Sequence, residues 1–182
     1  MKKLLILALV LVIGAGLVVV SYGQDNSAHA RELVAALDKN KYKKKEKKGF
    51  TVEVYVDVKN EAALKKDVAD YSGVYEDENS SNKLTLKVEH DGTAAGSGYD
   101  DGDKGKQGFT LKNARIDGGV LTAVKVFEKG ETRSFEAVFV NRTVSSGSNA
   151  NKIDSHETSY GLGYVERFGP ESQSRYFLEF KK

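Results

Sequence analysis

From Phe50 the chain alternates apolar and polar side chains without a break: Phe50, Val52, Val54, Val56 and Val58 stand against Thr51, Glu53, Tyr55, Asp57 and Lys59. A period of two in mostly β-branched residues predicts a strand with one buried face. Asn60 then precedes the run Glu61 to Val68, in which acid comes first and lysine later. That order suits the helix dipole, so a helix of about two turns capped by Asn60 is expected.

Beyond Tyr71 the pattern settles into short alternating segments separated by turn residues. They predict strands at Ser72 to Glu76, Lys83 to His90, Thr93 to Tyr99, Phe109 to Ile116, Val120 to Glu128, Thr132 to Arg142, Ser159 to Phe168 and Arg175 to Lys181. Asp91-Gly92, Asp117-Gly118 and Lys129-Gly130-Glu131 mark tight hairpins, because glycine tolerates the positive φ such turns require. Short links make neighbouring strands antiparallel, and no helical stretch offers a crossover. Leu84, Leu86 and Val88 share one face, as do Phe135, Ala137 and Phe139, or Tyr176, Leu178 and Phe180. The expected fold is all-β: an eight-stranded antiparallel up-and-down barrel or strongly curved meander, with an N-terminal hydrophobic helix and a short extra helix. Closure removes exposed edges, and hydrogen bonding between the first and last strands is what distinguishes it from an open sheet.

Strand number and order resemble the calycins, the lipocalin-like and avidin-like barrels. Gly73-Val74-Tyr75 is similar to the Gly-x-Trp of lipocalins with Tyr in place of Trp, and Arg175 matches the late arginine that packs across that aromatic. The resemblance implies a closed barrel, and no binding residue is carried over from it.

Charge and hydropathy change the picture at the amino terminus. Lys2 and Lys3 precede a charge-free stretch from Leu4 to Val20, and Ser21-Tyr22-Gly23 follows. This is an export signal, either cleaved after Gly23 or kept as an anchor through residues 4–20, and it directs the domain to the extracytoplasmic side. Ser27 to Asp38 has the helical spacing of Leu33, Val34 and Leu37. Lys39, Lys41, Lys43, Lys44, Lys45, Lys47 and Lys48 then crowd ten residues. Such a run is expected as a solvated spacer, or as a surface for anionic membrane or cell-wall polymers, and Tyr42 alone makes no stacking platform for specific nucleic acid binding. The division expected is 1–23 for export or anchoring, 24–48 for the helix and tether, and 49–182 for the barrel-like domain. A net charge of only +2 therefore conceals a basic arm on an acidic body: 10 basic against 4 acidic residues up to Lys48, and 18 against 22 after it. Without cysteine, neither disulfides nor thiolate chemistry is available.

Candidate chemistry is sparse. Asp101 and Asp103 lie in a Gly-rich segment that could offer hard oxygen ligands to Ca²⁺, yet Gly105, Lys106 and Lys112 stand where a calcium loop needs a ligand, a glycine and a bidentate glutamate. Of the three histidines, His29, His90 and His156, none has helical metal-ligand spacing. Asp154-Ser155-His156-Glu157 holds triad residue types too close in sequence to line up. Glu166 with Glu179 is the nearest approach to an acid–base pair. No catalytic residue and no cofactor is assigned. The expectation is non-enzymatic binding of a small apolar or amphiphilic ligand, with Phe135, Phe139, Tyr164 and Phe168 as candidate barrel lining. The alternative is an envelope interaction module with a filled barrel, working through Gly92 to Gly108 and Val144 to Thr158, segments expected to be loops.

Overall fold

The computed structural model describes residues 26–47, 50–102, 105–149, 151–167 and 173–181. In chain order these form α1 (Asn26–Leu37), β1 (Lys39–Lys47), β2 (Phe50–Ala62), a 3-10 turn (Val68–Tyr71), β3 (Gly73–Glu76), β4 (Lys83–Val88), β5 (Thr93–Gly102), β6 (Gly105–Asp117), β7 (Val120–Phe127), β8 (Thr132–Asn149), β9 (Lys152–Arg167) and β10 (Gln173–Lys181). Residues 1–23, expected as an export signal or anchor, fall outside the described residues, as do Asp103 and Phe168. Among the described residues no helix is long and apolar enough to cross a membrane.

Neighbours in sequence pair antiparallel from β3 to β10, and β10 returns to β3 through Glu179↔Glu76, Phe180↔Tyr75 and Lys181↔Val74. The ring of eight strands is thereby closed, which decides between the barrel and the open meander that the sequence left as alternatives. Gly118 and Gly119, with φ of 55° and 79°, form the two-residue turn between β6 and β7, the left-handed pair that matches strand twist.

The ring is uneven because β8 changes partners along one edge. Val126↔Thr132 to Val120↔Val138 bind it to β7, after which Ala62↔Val140 to Tyr55↔Gly147 bind it to β2. The exchange happens at Phe139, whose N–H donates to Gly119 O at 3.0 Å and whose carbonyl accepts from Ala63 N at 2.8 Å. Beyond that point β1, β2, β8 and β9 form a four-stranded arm projecting past the ring.

Three local expectations are corrected here. Glu61 and Ala62 continue β2, and Val68 begins a 3-10 turn; a two-turn helix cannot outweigh a ladder already running along β8. Asn60 caps nothing. Its backbone N–H and its Nδ2 both donate to Asp38 Oδ1, at 2.8 and 2.9 Å. Lys39 to Lys47 of the lysine run form strand β1, paired with β2 from Lys39↔Val58 to Lys47↔Phe50, and Lys48 lies outside the described residues. The segments expected as loops are hairpins: β5 and β6 pair to Gly102↔Gly105, and β8 and β9 to Asn149↔Lys152.

Two cores follow from the alternation. Inside the ring lie Tyr75, Leu84, Leu86, Leu111, Ile116, Leu121, Ala137, Phe139, Leu162 and Leu178, with Tyr71 stacked on Phe139 at 4.1 Å. Outside it, Ala30, Leu33, Val34 and Leu37 of α1 cover Val120, Val138, Val140, Val165 and Phe177. Glycine at position 163 makes this docking possible, since a Cβ there would meet Leu37 at 2.3 Å. Arg175 faces outward with Phe177, and its Nε donates to Ala36 O at the C-terminal end of the helix, so it does not pack across Tyr75. Tyr75 instead packs against Phe139, Tyr160 and Phe180.

Candidate functional site

The wall of the ring opens where β8 and β9 part. Their ladder starts at Ala137↔Tyr164, so Thr132 to Glu136 pair only with β7, and Val165 to Arg167 only with β10. A cleft of about 1000 Å³ occupies this gap. One side of α1 overhangs it with His29, Glu32, Leu33 and Ala36, while Ala123, Phe135, Tyr164 and Glu166 line its inner side.

At the inner end sits Lys125, whose side chain is 3% exposed. It belongs to the inward face of β7 with Leu121, Ala123 and Phe127, the position where alternation calls for an apolar residue. The ammonium donates to Asp100 Oδ2 at 2.6 Å and lies 4.0 Å from Glu166. It also stands over three ring faces, 4.5 Å from the centroid of Phe109, 4.6 Å from Phe135 and 5.1 Å from Tyr164. Buried charge is tolerated only when paired, and aromatic faces add attraction in a desolvated setting. Burial raises the Glu166 carboxyl above its usual pKa, an effect that Lys125 only partly opposes and Asp100 reinforces.

His29 clasps the overhanging helix to the rim. Its Nε2 donates to Glu136 Oε1 at 2.6 Å, and Nδ1 lies 3.7 Å from Glu32. The Glu136 hydrogen bond raises the histidine pKa above its usual 6.5. A raised value means the clasp contributes fully below about pH 6.5 and is lost as pH rises through the folded-state pKa. His90 behaves with the same sign through Asp67, 2.7 Å away. In a His90→Gln background, His29→Gln is therefore expected to flatten the decline of melting temperature between about pH 6 and 9. An unchanged slope refutes the clasp.

The proposed lining residues divide between two ends of the barrel. Phe135 and Tyr164 meet edge to face at 5.1 Å beside the cleft, whereas Phe139 is wholly buried at the other end with Tyr71 and Tyr75. Desolvation there pushes the Tyr160 hydroxyl up to about 12, and Lys65 Nζ covers its ring at 4.4 Å. The aromatic residues thus form a buried group at each end of the interior, and the cleft opens beside the group that holds Phe135 and Tyr164.

Other candidates do not converge. Asp101 is exposed on the β5–β6 hairpin opposite Lys106, and among the described residues no cluster suits a metal ion. Glu166 pairs with Ser174 and Glu179 with Gly161, so the two carboxylates lie at separate points of the β9–β10 ladder, and Glu179 binds Lys181 instead. His156 faces Ser145 across β8 and β9, with Oγ and Nδ1 2.9 Å apart. This serine–histidine contact is exposed, and among the described residues no carboxylate orients the ring, so the arrangement lacks what a nucleophile needs. Sequence reasoning grouped Asp100 with Asp101 and Asp103 as possible calcium ligands, and missed Lys125, its pairing with Asp100 and the overhang of α1. The signal for the first was present as a lysine on an apolar face. Compared with protein-family models, curated proteins and solved structures, the chain matches none of them.

Proposed function

We propose that this chain is a binding protein that holds one small amphiphilic ligand in the cleft between α1, β8 and β9. The observation that carries the reading is the cleft itself: about 1000 Å³ of space reaching from solvent to Phe135 and Tyr164 through an unpaired stretch of barrel wall. Ligand sites in small barrels are of this size, with mostly apolar walls and few polar groups fixing orientation. Leu33, Ala36, Ala123 and Val165 supply the apolar walls, and Lys125 and Glu166 the polar end.

Titration with N-phenyl-1-naphthylamine, an uncharged apolar dye, tests the reading. One saturable site is expected. Ala123→Trp, which fills the cleft from inside, should weaken binding by about tenfold or more, the loss of roughly 1.4 kcal/mol. Absence of saturable binding, or equal binding by a folded Ala123→Trp protein, refutes it.

A further inference from the structure

The charges at the inner end of the cleft select among ligands. Lys125 already donates to Asp100 at 2.6 Å and is enclosed by Phe109, Phe135 and Tyr164. Glu166, about a quarter exposed and lining the cleft, has the same ammonium as a second partner at 4.0 Å. Two carboxylates therefore share one ammonium. The mouth adds Glu32 and Glu136, facing His29, and Arg133, which is engaged by Glu131 at 2.7 Å and stacked over Phe127. An anionic headgroup entering here would place a third carboxylate-like charge around a lysine already held by one. A cation would instead come closer to Glu166 than Lys125, its nearest cation among the described residues, and would add to the attraction that Lys125 and the more distant Arg133 exert on it, with the ring of Tyr164 nearby and apolar walls behind it.

We propose that the ligand is a monocationic amphiphile, an aliphatic amine or quaternary ammonium whose charged head sits against Glu166 and whose apolar body lies along Leu33, Ala36, Ala123 and Val165. The proposal rests on the cleft being a ligand site. Its charge assignment is separable from that reading. The head engages the Glu166 carboxylate, the tail points toward the mouth beneath α1, and Lys125 stays hydrogen-bonded to Asp100 rather than meeting the ligand.

Calorimetric titration of the protein with decyltrimethylammonium, decanoate and the uncharged decyl glucoside, each below its micelle concentration, decides it. The cation is expected to bind about tenfold or more tighter than either of the others. Glu166→Gln should remove about that factor for the cation alone and leave the glucoside unchanged. The charge series needs no variant, so a Glu166→Gln protein that fails to fold does not spare the proposal. Decanoate binding as tightly as the cation, or a folded Glu166→Gln protein with undiminished cation affinity, overturns the charge assignment while the glucoside still reports the cleft. Failure of all three compounds to bind overturns both.

Discussion

Asp100→Asn is expected to lower the free energy of unfolding by about 3 kcal/mol, as read from urea denaturation. Breaking a buried ion pair by removing one partner costs about 3–5 kcal/mol, because the charge left behind stays desolvated. The lower end applies, since Asp100 retains 19% exposure and Glu166 remains 4.0 Å from the ammonium. Removing both charges has a different outcome. In Asp100→Leu with Lys125→Met, the flexible methionine occupies the space between Phe109, Phe135 and Tyr164, and most of the lost stability should return. A single variant as stable as the wild type would mean that Lys125 is hydrated and unpaired.

Phe139→Ala should be the costliest single truncation, about 3–5 kcal/mol. Its ring is fully buried, stacked on Tyr71 at 4.1 Å and 5.7 Å from Tyr75, with no route for solvent to fill the hole. Phe135→Ala removes the same atoms from a site 5% exposed beside the cleft, where the void joins existing open space. The cost there should be visibly smaller. Equal losses for the two in chemical denaturation would show that the neighbouring cleft does not relieve the removal of Phe135.

What was legible in the chain was whatever one-sided burial writes into it. Leu84, Leu86 and Val88 alternate because one face of β4 meets the core, and the same holds for the other ring strands, so their number and order could be read directly, whereas closure rests on the β3–β10 pairing, which alternation does not specify. The projecting arm, β2 apart, escapes this logic. Ser145, Ser146, Ser155 and His156 pair across β8 and β9 in polar, exposed positions, and no apolar period marks them as strand. β1 is likewise specified by its ladder to β2 rather than by its lysines. The cleft was hidden for a further reason: it arises where two ladders part, a property of register that residues 132–136 and 165–167 do not announce individually. Lys125 was readable only as an anomaly, a charge amid Leu121, Ala123 and Phe127.

The seam between β3 and β10 has a consequence for how the molecule is assembled. It joins Glu76 to Glu179 and Val74 to Lys181, positions far apart along the chain, while every other contact in the ring is between successive strands. Hairpins can form locally and early, but the ring cannot shut until its last strand has been synthesised and the long intervening loop has been closed, the entropically slowest kind of event. Until then the four residues of β3 offer an unpaired edge, the kind of surface on which neighbouring chains add to one another. Its brevity limits that hazard, so the shortest strand stands at the position that waits longest for its partner.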